Sequence, residues 1–87
     1  MRNDERHESE RIAFGRAIVA ARKRIGVSQE QLANEAQIDR SYMGRIERGE
    51  QSVSFDKILD VSRALGISPA ALFESMMEQD ESSSALN

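Results

Sequence analysis

The 87-residue sequence predicts an all-α fold, a compact bundle of five helices, on two observations. Apolar residues recur at spacings of three and four, which is the period of a helix with one buried face. Helix start signals also recur, each a Ser or Asp whose side chain can accept from the free amides of the first turn. These signals stand at Ser28, Asp39, Ser54 and Ser68. No strand pattern survives beside them, and the length suits a single domain with one core.

The first helix is predicted to run from about Glu8 to Ile25. Its apolar positions are spaced four, three and four residues apart, so one buried stripe is expected. Gly26 ends the helix. The stripe consists of Phe14, Ile18, Ala21 and Ile25.

The stretch Val27 to Gly49 is predicted to hold two short helices joined by a tight turn. Ser28 caps the first, with Gln31 three residues on as the partner of a capping box. Asp39 caps the second, and its carboxylate also favours the positive end of the helix dipole. Two short helices that turn sharply on each other are the layout of a helix-turn-helix. Ala36, Gln37 and Ile38 remain for the turn. The helix before the turn is expected to bury Leu32 and Ala33.

Two further helices are predicted after the loop at residues 50–53. The fourth starts at the Ser54 cap and ends at Gly66, and the fifth starts at Ser68 with Pro69 in its first position, where a missing amide does no harm. The fourth helix is expected to turn Phe55, Ile58, Leu59 and Leu65 toward the core. The domain boundaries are expected as a flexible segment over 1–10, a helix-turn-helix domain over 11–78 and a disordered acidic tail over 79–87.

Composition excludes several classes of function. Cysteine is absent, so there is no disulfide and no thiolate metal site, and we expect no metal or cofactor. No apolar run reaches the ~20 residues of a membrane span, and the polar N-terminus is unlike a secretory signal, so a cytoplasmic protein is expected. The lone His7 has no partner of ligand or nucleophile type nearby in the sequence. Two pairs of carboxylates could be taken for catalytic acid/base pairs, namely Glu8 with Glu10 and Asp56 with Asp60. Their positions at helix starts and on polar faces explain them without catalysis, so no enzyme is predicted.

The charge is unevenly spread along the chain. Its net value is −3, but residues 11–68 carry ten Lys and Arg against seven Asp and Glu. The negative charge therefore lies toward the two ends of the sequence. A mildly basic middle is compatible with a local phosphate-binding face, with modest affinity for non-specific DNA.

The helix that starts at Asp39 is predicted to have one apolar and one cationic side. At roughly 100° per residue, Met43 and Ile46 fall on one side. The opposite side has no carboxylate among its helix residues, which are Ser41, Gly44, Arg45 and Arg48. Arg forks match guanine edges and phosphate oxygens, although a solvated charged face has the same pattern. The capped helix pair favours the DNA interpretation.

The run from Phe14 to Phe73 resembles the Cro and phage-repressor type (XRE-like) helix-turn-helix family. The segments GVSQEQLA, RSYMGRIERGE and RALGIS carry the resemblance. It implies a lambda-repressor-like five-helix domain and a transcriptional regulator that binds double-stranded DNA. The start of the recognition helix, residues 39–42, is also similar to the controller proteins of restriction-modification systems.

The resemblance implies roles for individual residues. Arg22 would pair with Glu47 as a structural brace, while Gln29 would contact phosphate and support the recognition helix. Base edges would be reached by Arg40, Ser41 and Arg45, and the DNA backbone by Tyr42 and Arg48. The helical wheel places Arg40 and Tyr42 on the flanks, where a phosphate contact and a base contact are equally open. Two departures stand out. Gln37 replaces a turn glycine of many relatives, so a differently built turn is expected. Gly44 lies inside the recognition helix, where close approach to DNA is favoured over simple tolerance of a small residue.

The fifth helix carries more apolar residues than one small core needs. Ordinary packing accounts for Leu72, whereas Phe73, Met76 and Met77 are candidates for a two-fold dimer contact. The expected function is thus a sequence-specific regulator that binds a palindromic operator as a homodimer. The alternative is a protein-interaction module of the same fold, an antitoxin or co-regulator, which the acidic ends of the chain keep open.

Overall fold

The computed structural model of the chain describes residues 7–80. These residues contain five α-helices and no strand, so the predicted all-α class is confirmed. The predicted N-terminal segment and acidic tail lie mostly outside the described residues, although residues 8–10 and 79 are helical. The helices are α1 (Glu8–Ile25), α2 (Gln29–Ala36), α3 (Arg40–Glu47), α4 (Phe55–Leu65) and α5 (Pro69–Gln79).

The predicted helix starts are confirmed at all four caps. The Ser28 hydroxyl accepts from the Gln31 amide at 3.1 Å, and the Gln31 side chain accepts from the Ser28 amide at 2.7 Å, which completes the capping box. The Asp39 carboxylate accepts from the Ser41 and Tyr42 amides in the first turn of α3, at 3.0 and 3.3 Å. Ser54 and Ser68 cap α4 and α5 in the same way. Each cap satisfies amides that have no partner within the helix.

The core is a single apolar cluster to which all five helices contribute. Helix α1 packs against α5 and α3, while α2 packs against α3 and α4. The predicted stripe of α1 is buried at Phe14, Ile18 and Ala21. Three predictions were wrong. Ile25 is 50% and Phe55 70% exposed, and Leu59 is half-buried but is not among the residues that pack against the core. Ile25 and Phe55 stand at helix ends, where the side chain is left open to solvent.

The close contact between α1 and α3 depends on Gly15. A Cβ at this position would lie 2.7 Å from the Ile46 carbonyl oxygen and still closer to that of Glu47. Gly49, with φ 76°, follows α3. A Cβ on Gly49 would lie 2.8 Å from the Cα and the backbone nitrogen of Ile12. The C-terminal end of α3 is therefore held against α1 by direct backbone contact.

The turn between α2 and α3 keeps a left-handed residue although glycine is absent. Gln37 has φ 57° and ψ 45°, so the expectation of a differently built turn was wrong. The Gln37 amide donates to Asn34 O at 3.2 Å and the Ile38 amide to Ala33 O at 2.8 Å, which is the Schellman pattern. The conformation costs ~1–2 kcal/mol at a residue with a Cβ. Backbone bonding and the Lys57 ammonium, which donates to Gln37 O at 3.4 Å, hold it in place.

Candidate nucleic-acid interface

The outer face of α3 forms a shallow polar groove with the start of α2. Met43 and Ile46 are 0% and 1% exposed on the inner side, as the helical wheel predicts. On the outer side the groove has a volume of about 350 Å³. Six of the sequence-predicted residues line it, namely Gln29, Arg40, Ser41, Gly44, Arg45 and Arg48.

The outward position of Gly44 on the helical wheel suggested that it presents bare backbone to the solvent. The structure shows that it does not. It is buried beneath the side chains of Arg48 and Gln29. A Cβ on Gly44 would lie 3.2 Å from Arg48 Nη1 and 3.6 Å from Gln29 Oε1. The absence of a side chain therefore allows these two polar groups to lie across the middle of α3.

A buried ion pair fixes α3 against α1 and α2. The Arg22 guanidinium donates to both oxygens of Glu47, from Nε at 2.8 Å and from Nη2 at 2.9 Å. The Gln29 side-chain amide donates to the same carboxylate at 2.9 Å. The Glu47 side chain is only 5% exposed and that of Arg22 15%, and the hydrogen bond from Glu47 raises the pKa of Arg22. One carboxylate thus connects three helices through charge-assisted hydrogen bonds.

Two of the three exposed arginines that line the groove are held by residues of the following loop, namely Arg45 of α3 and Arg48 directly after it. Arg45 Nε donates to the Gln51 side-chain oxygen at 2.9 Å. Arg48 donates to both oxygens of Glu50, from Nε at 2.8 Å and from Nη2 at 3.1 Å. The face that carries no carboxylate among its helix residues therefore receives one from the loop.

Glu50 and Gln51 were not predicted as site residues, although one signal in the sequence pointed to them. Gly49 is the left-handed residue that ends α3, and the Glu50 amide after it donates to Arg45 O at 2.9 Å. This C-terminal motif directs the next residues back over the last helical turn. Gly49 directly follows Arg48 and stands one helical turn after Arg45. Its position was thus a sign that the loop would contact both side chains.

Tyr42 lies at the flank of α3, outside the groove. Its ring packs against the core, and its hydroxyl donates to Ser52 O at 3.3 Å. The structure therefore brings together the other predicted DNA-binding residues and leaves Tyr42 on the side that faces the loop after α3.

The predicted dimer residues lie on a partly exposed apolar face of α5. Phe73 is 40% and Met77 55% exposed, whereas Met76 packs against the core. The Phe73 ring stacks at a tilt against Phe14, with 5.9 Å between ring centroids. Phe73 and Met76 also line a largely apolar groove of about 240 Å³ between α1, α4 and α5. Exposed Phe55 stands at the start of α4, close in sequence to the groove residues Val53 and Ile58.

Within residues 7–80, no group of three or more His, Cys, Asp or Glu residues could hold a metal ion. None of the helices in this part of the chain has the length and apolar character needed to cross a membrane.

A helix pair of this geometry, with its second helix turned outward and cationic, defines a helix-turn-helix protein. The sequence matches the family model described as helix-turn-helix over residues 18–72. The chain therefore belongs to the helix-turn-helix family of the Cro and phage-repressor (XRE-like) type, which confirms the resemblance seen in the sequence.

Similar proteins include ones named as control proteins and ones named as restriction-modification controller proteins. The control protein C.BamHI of Bacillus amyloliquefaciens is 40% identical over 65 residues, which cover 74% of this chain and 80% of the relative. The crystal structure of the controller protein C.AhdI from Aeromonas hydrophila is 43% identical, with a TM-score of 0.71, 72% of this chain covered and 96% of that one. The controller protein C.Esp1396I, solved as a tetramer with its natural 35 base-pair operator, shares the fold. Its TM-score is 0.74 at 24% identity, over 80% of this chain and 92% of that one.

Proposed function

We propose that this protein is a transcriptional regulator that binds double-stranded DNA in a sequence-specific manner, with α3 in the major groove. The observation that carries the proposal is the rigid presentation of an exposed cationic helix face. Arg45 and Arg48 project from a helix whose end is tied to α1 and α2 by the buried Glu47 carboxylate. A helix of this kind fits the major groove, and its position must be fixed for base edges to be read.

The side chains of the groove divide into two kinds of contact. Arg45 lies in the middle of the outer face, so we assign it to base edges together with Arg40 and Ser41. Arg48 and Gln29 lie toward the start of α2, so we assign them to phosphates. We assign Tyr42, at the flank of α3, to a contact with the DNA backbone. Phosphate contacts set the register of a protein on DNA, whereas base contacts supply the sequence preference.

The relatives support a controller of a restriction-modification system as the particular role. C.AhdI carries that description, C.BamHI is named as a control protein, and both match most of this chain. C.Esp1396I supplies a precedent, because it is a controller of the same fold that binds its operator as a tetramer.

We further propose that the chain acts as a homodimer through Phe73, Met76 and Met77, with Phe55 as an added apolar contact. A two-fold dimer would place two recognition helices about 34 Å apart, on half-sites about 10 bp apart or a small multiple of that. Because Met77 is 55% exposed, Met77→Glu is expected to give a monomer by light scattering without unfolding. Ile25→Glu is the matched control, since Ile25 is 50% exposed at the far end of α1. A dimer that survives Met77→Glu, or one lost equally in both variants, would refute this interface.

The test of the function is selection of bound duplexes from a random pool, followed by anisotropy titration of the enriched duplex. Each phosphate contact adds about −0.9 to the slope of log K against log salt, so affinity should fall steeply between ~50 and 200 mM salt. A protein-interaction module is the second candidate, because Phe55, Phe73 and Met77 are exposed. It predicts no enriched duplex and little salt dependence.

A further inference from the structure

Arg45 and Arg48 differ in how the loop after α3 engages them. Gln51 accepts one hydrogen bond from Arg45, at Nε, and brings no charge. Glu50 accepts two from Arg48, at Nε and Nη2, and brings a full negative charge. Among the described hydrogen bonds, both terminal nitrogens of Arg45 remain unengaged, whereas Arg48 is engaged through Nε and Nη2.

The Glu50 carboxylate occupies the two nitrogens, Nε and Nη2, with which Arg48 could otherwise hold a phosphate. A carboxylate and a phosphate both present two oxygens at the spacing of a guanidinium fork, and they compete for the same donors. The pair is open to solvent, since the Arg48 side chain is 60% and the Glu50 side chain 52% exposed. Phosphate oxygens can therefore reach it without unfolding any element. The hydrogen bonds from Arg48 lower the pKa of Glu50, so the competing carboxylate stays ionised at neutral pH.

Gln51 has the opposite effect on Arg45. A neutral acceptor at Nε fixes the direction of the guanidinium and adds no charge of its own. Glu50, which pairs with Arg48, acts on Arg45 through its charge and makes no hydrogen bond to it among the described contacts. The two terminal nitrogens are then free to donate to O6 and N7 of a guanine.

We propose that Glu50 and Gln51 are specificity-determining residues of this protein. Glu50 competes with the DNA backbone for Arg48 and so limits binding to DNA of any sequence. Gln51 directs Arg45 toward a base without neutralising it. The placement of the single carboxylate on Arg48 rather than on Arg45 sets the balance between backbone and base contacts. This inference rests on the proposed DNA-binding function.

The experiment compares three variants with the parent protein by anisotropy, on the enriched duplex and on a random-sequence duplex. Glu50→Gln removes the competing charge. Glu50→Gln combined with Gln51→Glu moves the carboxylate from Arg48 to Arg45 and leaves the net charge unchanged. Glu35→Gln is the control for net charge, since Glu35 is exposed on α2 in a depression that it shares with Asp60 and Arg63, outside the α3 groove.

The Glu50→Gln variant should bind both duplexes about three- to fivefold more tightly per protomer at ~50 mM salt. Its salt slope should be steeper by about one per protomer, so most of the gain should vanish at ~200 mM. The exchange variant should bind the random duplex within about twofold of the parent but lose about tenfold or more of its preference for the enriched duplex. Glu35→Gln should match the parent in slope and preference.

Two results would overturn the inference alone: a Glu50→Gln variant that binds the random duplex no more tightly than Glu35→Gln, or an exchange variant that keeps the parental preference. Failure of the parent and all variants to bind any duplex would overturn the proposed function together with the inference.

Discussion

Replacement of Arg22 by Met is expected to lower the free energy of unfolding by about 3 kcal/mol. The change removes two of the three hydrogen bonds to the Glu47 carboxylate and leaves only the one from Gln29. Removal of one partner from a buried ion pair costs ~3–5 kcal/mol, because the remaining charge is uncompensated. We place the cost at the lower end, since the Arg22 side chain is 15% exposed and water can reach the vacated position.

A loss of this size is large for one small domain, whose total stability is typically ~5–15 kcal/mol. At ~4–8 °C per kcal/mol, the Tm should fall by about 12–24 °C. Urea unfolding followed by far-UV circular dichroism measures the change, and an m-value equal to that of the parent shows that the unfolded ensemble is unchanged.

The chain supplies a matched control in Arg48→Met. The Arg48–Glu50 pair has the same 2.8 Å shortest distance as Arg22–Glu47, but its side chains are 60% and 52% exposed against 15% and 5%. Exposed pairs contribute little, so the stability of Arg48→Met should equal that of the parent. The double variant Arg22→Met with Glu47→Leu should recover most of the loss, because no unpaired charge remains. Equal losses in the two Met variants, or a double variant less stable than Arg22→Met, would refute the reasoning.

Three glycine-related predictions can be checked by the same unfolding measurements. Gly15→Ala should lower the free energy of unfolding by ~1–3 kcal/mol, because its Cβ would meet the carbonyls at the end of α3; an unchanged Tm would contradict the close contact. Gly44→Ala should raise stability by up to ~1 kcal/mol through helix propensity and weaken duplex binding, because its Cβ would lie 3.2 Å from Arg48 Nη1 and displace the tip of that side chain; a destabilised variant would argue against it. Gln37→Gly should raise the free energy of unfolding by up to ~1 kcal/mol, since relief of the left-handed strain exceeds the added entropy of the unfolded chain. Gln37→Val should lower the Tm, and the reverse order of these two variants would contradict the strained turn.

Local sequence signals predicted the helices well. The caps at Ser28 and Asp39 are determined by side chains within three residues of each helix start, so no knowledge of the rest of the fold was needed. The inward position of Met43 and Ile46 followed from helical period alone. The family resemblance then supplied roles for the outer residues that periodicity could not.

Features that depend on contacts between distant segments escaped prediction. Gly15 is required by the backbone of α3, about thirty residues away in the sequence, and nothing in its neighbourhood shows this. The exposure of Phe55 depends on which helices flank the start of α4. The pairing of Glu50 with Arg48 depends on the chain reversal after Gly49, which turns a loop carboxylate onto the cationic face.

The central claim is that the outer face of α3 reads DNA sequence, and Arg45→Ala tests it most directly. The measurement is the ratio of affinities for the enriched duplex and a random duplex, by anisotropy at constant salt. The account predicts a loss of ~1–3 kcal/mol on the enriched duplex with little change on the random one, whereas Arg48→Ala weakens binding to both about equally. Equal losses on both duplexes for Arg45→Ala would contradict the claim at its central residue and remove Arg45 from the recognition of bases.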